Sequence, residues 1–219
     1  FYQNGVAFTA LKPHTVHPLS DTFAENVDHF DRVCRVVAAA RKMVVGSIGA
    51  RTTPFKTVRC DELALQKHGI TVETLDLSDI FARMKAVKLS APEADRKCRL
   101  LEAYTCWSGT PRRALEQIVR LGVALDAVIV EYGLTALALR CWTELQTQLG
   151  ISPCVLLSEL NNRGFPAACE VDVGNAVTMA FLSLAAGGPP ACLDWNNNYG
   201  DDEDKCILFQ CGPVPAGLM

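Results

Sequence analysis

Short apolar, β-branched runs alternate along this chain with helical-period segments of ten or more residues, which confines the fold to βαβ units around a parallel sheet. The first run, Met43-Val44-Val45-Gly46-Ser47-Ile48-Gly49, ends in glycine and reads as a buried strand. Before it, Val27, Phe30, Val33, Val36 and Val37 fall on one face of a helix from Phe23 to about Lys42. After it, a polar loop from Ala50 to Phe55 leads into a helix ending near Lys67, and Gly69 separates that helix from a second strand, Ile70 to Leu75. Ser78 is expected to cap a helix over Asp79 to Val87. Further helices are expected over Pro92 to Tyr104 and from Thr110-Pro111 to about Leu121. The runs Ala127 to Val130 and Pro153 to Leu157 read as the third and fourth strands, with a helix over Thr135 to Leu149 between them. A helix over Asp172 to Ala186 follows, and Gly187-Gly188-Pro189-Pro190 breaks the chain. Ala191 to Trp195 and Cys206 to Cys211 then read as closely spaced strands.

The expected fold class is α/β: a three-layer parallel-sheet domain over residues 23–188, followed over 189–219 by the truncated start of a β-rich domain. Residues 1–22 read as an irregular lead-in from a missing preceding domain, and both ends look cut. With 49% hydrophobic and 21% charged residues, a sizeable core is available and wholesale disorder is excluded. A net charge of −3 supplies no basic stripe for a nucleic-acid or anionic-membrane partner. No run reaches the roughly 18 apolar residues that span a bilayer. The ten cysteines occur singly, without a C-x-x-C pair, and read as reduced thiols of a cytoplasmic protein.

In a parallel sheet, ligands gather beyond the carboxyl ends of the strands. That rule selects Arg51 to Phe55, Glu131, Glu159 to Arg163, and Asp194 onward. Arg51, with Thr52 and Thr53 beside it, is suited to hydroxyls, a phosphate or a neighbouring subunit. Glu170 and Asp172 lie at the start of a helix, where a negative charge is favoured, and capping alone explains them equally well. Asp194 lies at the end of its expected strand; the following stretch from Trp195 to Asp204 reads as a hairpin or loop, with Asp201 to Asp204 a solvated turn. Glu170 and Asp194 together offer hard oxygen ligands to one divalent cation. His14, His17, His29 and His68 read as ordinary histidines. No dinucleotide fingerprint, P-loop or nucleophile elbow occurs.

The segments Pro166-Ala167-Ala168-Cys169-Glu170-Val171-Asp172-Val173-Gly174-Asn175-Ala176, Leu193-Asp194-Trp195-Asn196-Asn197 and Gly49-Ala50-Arg51-Thr52-Thr53-Pro54-Phe55-Lys56-Thr57 resemble the L-fucose/L-arabinose isomerase family. The resemblance implies a metal-dependent aldose–ketose isomerase in which Glu170 and Asp194 bind Mn²⁺, or Mg²⁺ or Co²⁺, and exchange protons with a monosaccharide. It also implies a homo-oligomer. Arg51, Asn196 and Gln210 stand as candidate substrate or interface residues. The sequence departs from the family in two places: it ends before the family's distant histidine ligand, and Gln210 occupies the position of a nearer one. This piece alone is therefore expected to hold metal weakly and not to turn over substrate. Two rival readings remain: a non-catalytic sugar-binding module, and a family member that has lost catalysis.

Overall fold

The computed structural model describes residues 1–210 and 212–219. In chain order the elements are α1 (Asp21–Ala40), β1 (Val44–Ile48), α2 (Glu62–Lys67), β2 (Thr71–Leu75), α3 (Leu77–Ala86), α4 (Pro92–Tyr104), α5 (Arg112–Glu131), β3 (Ala136–Leu139), α6 (Cys154–Asn162), β4 (Ala167–Cys169), α7 (Val173–Ala186), β5 (Asp194–Tyr199) and β6 (Asp202–Phe209). The first four strands form one parallel sheet in the order β2-β1-β3-β4. The last two form an antiparallel hairpin. The expected α/β class and its three layers are thus present.

Alternation of side chains across β3 builds both cores. Leu137 and Leu139 face α3 to α6 and join Ile80, Leu101, Leu121, Leu125 and Leu157. Ala136 and Ala138, with Ala168 of β4, face α7 and meet Val173, Ala176, Met179 and Ala180. Small residues on that face let α7 lie close to the sheet, and each buried leucine on the other contributes about 1.5–3 kcal/mol. The α1 helix packs against α7 but buries none of its residues, so Phe23, Val27, Phe30 and Val33 stay exposed.

Several expected elements are corrected. Ala127 to Val130 is not a strand but the last turns of α5, which carries the buried row Leu115, Ile118, Leu121, Leu125 and Val128 at helical spacing. The chain over Thr135 to Leu149 is not one helix: its first part is β3, buried on both faces between β1 and β4, where pairing overrides the helical preference of Ala and Leu, and only Leu145–Leu149 is helical, as a short π-helical turn. Pro153 to Leu157 is not a strand; Pro153 precedes α6, whose Leu156, Leu157 and Leu160 are buried. The true fourth strand, Ala167–Cys169, is only three residues long. Asp76 rather than Ser78 caps α3, accepting the Ser78 N–H at 2.7 Å. At the end of the chain, residues 191–193 are coil. The stretch from Trp195 to Asp204 belongs to a hairpin, one of its two expected forms, but Asp202 to Asp204 open β6 rather than forming a solvated turn. β6 closes at Phe209, so the expected strand to Cys211 is shorter, and Cys211 itself lies outside the described residues.

Two polar networks fix this frame. Buried Lys97 of α4 pairs with Asp126 of α5 at 2.6 Å and approaches Glu159 of α6 at 3.6 Å, while Arg163 reaches Asp126 and Glu159 at 2.6 and 2.9 Å. Glycine is required at position 122, because a Cβ there would sit 2.9 Å from the Lys97 side chain and 3.0 Å from Leu156. Past the hairpin, the chain returns to α6. Asn161, fully buried, donates to the Ala167 and Pro213 carbonyls at 2.9 and 2.8 Å and accepts the Ala167 N–H at 2.7 Å. Ser158 donates to the Val214 carbonyl and Tyr104 accepts the Ala216 N–H. Removing the Asn161 amide leaves buried backbone groups of β4 and of residue 213 unpaired. Asn161→Ala is therefore expected to lower stability by about 2–4 kcal/mol, measured by urea unfolding.

Candidate functional site

The register places Ile48, Leu139 and Cys169 side by side, so the loops that follow β1, β3 and β4 leave the sheet at one edge. Glu170 is the first residue beyond β4 and lies on that edge, half-buried. Sequence reasoning put it there through the wrong strand, since it follows Ala167–Cys169 rather than residues 153–157. Glu170 and Val171 both take left-handed backbone conformations, with φ of 64° and 59°. Such a conformation costs about 1 kcal/mol or more in a residue bearing a side chain, most in a β-branched one. The turn is held by the Val171 N–H on the Leu139 carbonyl at 3.3 Å and the Asp172 N–H on the Cys169 carbonyl at 3.0 Å. The Glu170 N–H and the Cys169 thiol both act on the sulfur of buried Cys141. Donation holds the proton on Cys169 and pushes that thiol up, while acceptance pulls Cys141 down.

Three carboxylates meet here. Burial raises the Glu170 carboxyl above its ordinary range, and the charges of Asp194 and Asp172 raise it further. The Cys192 thiol reports the same crowding: burial pushes it up to about 11, with Asp172, Asp194 and Glu170 all adding. Asp172 is the N-cap of α7, as the capping reading expects; its oxygens accept from the Asn175 backbone N–H at 2.9 Å and side-chain amide at 2.6 Å. Asp194 is the exposed first residue of β5, not the end of a preceding strand. The structure therefore brings the two predicted acids, Glu170 and Asp194, within reach of each other's charge. Gln210 stands at the base of the hairpin, one residue after Phe209, the cross-strand partner of Asp194. Asn196 is exposed on β5, at the irregularity between Trp195 and Asn197.

Other expected positions are not on this edge. Glu131 ends α5 and is clasped by Arg83 through both guanidinium nitrogens, at 2.6 and 3.2 Å. Glu159 to Arg163 belong to the end of α6 and to its ion-pair network. Sequence reasoning missed Cys141 and Trp142, because the strand ahead of them was taken for helix. Trp142 is partly exposed and packs on Phe55 with ring centroids 5.7 Å apart, and its carbonyl accepts from the buried Thr52 hydroxyl at 3.3 Å. Arg140 is occupied locally: it pairs with Glu144 at 2.6 Å and donates to the Ala50 and Trp142 carbonyls. Clefts of about 450 Å³ beside Phe81, Met84 and Arg120, and about 550 Å³ beside Phe1, Phe8 and Phe30, lie away from the acids.

Among the described residues, no set of three His, Cys, Asp or Glu side chains is arranged to hold a metal ion. No helix among the described residues is long and apolar enough to cross a membrane. No family model matches the chain. The chain is similar to curated sulfoquinovose isomerases: 27% identical over 207 residues to that of Alkalicoccus urumqiensis, covering 90% of this chain and 46% of that protein. Against that of Priestia aryabhattai it is 26% identical over 195 residues, covering 82% and 40%. Against that of Clostridium sp. (strain MSTE9) it is 26% identical over 208 residues, covering 92% and 45%. The chain thus spans about half the length of the curated relatives it matches.

Glu170→Gly removes a left-handed side-chain conformation, and is expected to stabilise the metal-free protein by about 1 kcal/mol in chemical denaturation at pH 8. The raised Glu170 carboxyl adds a pH signature. The folded state holds that proton more tightly than the unfolded chain, so stability falls as pH rises from the ordinary glutamate value through the raised one. Denaturation of wild type and Glu170→Gln from pH 4 to pH 8 is expected to show wild type losing ground relative to the variant across that window.

Proposed function

We propose that the protein to which this chain belongs is an aldose–ketose isomerase that moves a proton between adjacent carbons of a sulfonated monosaccharide through an ene-diol. The observation that carries the reading is the Glu170 carboxyl. It is half-buried at the carboxyl edge of the sheet, raised by burial and by Asp194 and Asp172, on a chain similar to sulfoquinovose isomerases. A carboxyl that holds its proton more tightly than usual is better matched to taking and returning a proton near neutrality. The left-handed turn and the hydrogen bonds that hold it fix where the Glu170 side chain leaves the backbone.

Glu170 and Asp194 also form the donor pair for a hard divalent cation, Mn²⁺ foremost, with Mg²⁺ or Co²⁺ as substitutes. The fit rests on charge: crowded carboxylates without a counter-cation at hand suit a divalent ion, and Asp172, committed to Asn175, stays outside the pair. Two carboxylates supply only part of the roughly six oxygens such an ion requires, and water, sugar hydroxyls or the rest of the parent protein would complete the set. When bound, the cation would polarise the sugar carbonyl and offset developing negative charge. The unburied apolar side chains of α1 and of the β5–β6 hairpin, among them Phe30, Trp195 and Phe209, support burial of this chain within a larger assembly, which we read as a cytoplasmic homo-oligomer.

The test is exchange of solvent deuterium into sulfoquinovose, L-fucose and L-arabinose by the full parent protein, after chelation and after return of Mn²⁺. Exchange is expected only with metal, and Glu170→Gln is expected to lower it by about 10²–10⁴-fold. Sugar binding without exchange under any metal would instead establish a binding module or a member that has lost catalysis.

A further inference from the structure

Of the three cations in the loop after β1, Arg51, Lys56 and Arg59, Arg51 comes first after the strand and is half-buried while the other two are exposed. Its Nη1 donates to three carbonyls of its own loop, those of Thr52, Thr53 and Phe55, at 3.2, 3.0 and 3.2 Å. Among the described residues its Nε and Nη2 have no partner, and no carboxylate pairs with it. The neighbouring Arg140 is the contrast, since Glu144 neutralises it and carbonyls fill its remaining donors. A guanidinium locked through one nitrogen and open at the other two is a preorganised fork for an oxyanion, which the planar group binds through paired donors.

The position of that fork relative to Glu170 follows from the sheet. β1 and β4 are separated by β3 alone, so the two loops leave the edge about two strand spacings apart, roughly 10 Å. A continuous set of contacts bridges the gap. The turn at Glu170 is held to β3 through the Val171 N–H on the Leu139 carbonyl, Trp142 lies three residues past Leu139, and Trp142 is tied to Thr52 by a hydrogen bond and to Phe55 by ring packing. The spacing is comparable with an open-chain hexose from its first carbons to a group on its sixth. An aromatic side chain lying between two charged groups is a common lining for such a ligand.

We infer that Arg51 anchors the anionic end of the substrate, a sulfonate or phosphate on the far terminus of the sugar whose reacting end lies at Glu170. The inference rests on the isomerase reading for the location of the reacting end, but anion recognition by Arg51 is measured separately from turnover. Anchoring one end of the chain sets which carbon reaches Glu170, and it rejects uncharged sugars because they leave the guanidinium unpaired.

The experiment is calorimetric titration of the intact parent protein with sulfoquinovose, glucose 6-phosphate and D-glucose, for wild type, Arg51→Gln and Arg51→Lys. Wild type is expected to prefer an anionic sugar to D-glucose, and the tighter of the two anions identifies the terminal group. Arg51→Gln is expected to reduce that preference at least tenfold, with Arg51→Lys between the two because it keeps the charge and loses the fork. Phenylglyoxal labelling of wild type, mapped by mass spectrometry, provides a readout free of substitution: the preferred anionic sugar is expected to shield Arg51, and D-glucose is not. A wild type without anionic preference, a preference that survives in Arg51→Gln, or an Arg51 that labels equally with and without the anionic sugar would overturn the inference. Absence of deuterium exchange alongside a preference lost in Arg51→Gln would overturn the isomerase reading and leave the anion anchor standing.

Discussion

The pairing of β3 between β1 and β4 is the constraint on which the rest of the structure depends. Its four residues are fully buried and alternate Ala-Leu-Ala-Leu, so one short strand presents a small-residue face to α7 and a large apolar face to α3 to α6. Parallel pairing then aligns Ile48, Leu139 and Cys169, and the three following loops converge without further instruction. In a parallel sheet this is the edge where ligands gather, because the helices cover both faces.

At that edge, favourable packing is exchanged for charge crowding and backbone strain. Two consecutive residues stand in left-handed conformations, and Glu170 is half-buried among other carboxylates. Neither feature stabilises the fold. Both persist because the frame around them is over-determined, through the Asn161 clamp on β4, the thiol pair beneath Glu170 and the cap Asp172 provides to α7. A site strained within a rigid frame is the arrangement expected where a carboxyl must be aimed rather than merely exposed.

The helices with strong periodicity were legible from the sequence, and Pro92 to Tyr104 was read to the residue. Reading failed over Ala127 to Leu157, for a specific reason. Apolar runs of four or five residues fit a buried strand and a buried helical turn equally well, and only the longer helical row through Leu115, Ile118 and Leu125 separates them. A three-residue strand such as Ala167–Cys169 carries no period at all, and it was found only because β3 pairs with it. Glu170 reaches the edge in the sequence reading through a misassigned strand, and its pairing with Asp194 comes from motif likeness rather than from topology.

By itself, the sequence determined the class of fold and the side chains on offer: scattered thiols, a slight excess of acidic over basic residues, and acids beside breaks in the helical pattern. Those follow from composition and local period, which each residue carries wherever it lies. Only the tertiary structure decided which loops share an edge, that Arg51 remains uncompensated while Arg140 does not, and that Glu170, Asp172 and Asp194 press on one another. These depend on strand order and register across gaps of tens of residues, and electrostatic coupling acts through distance in space rather than along the chain.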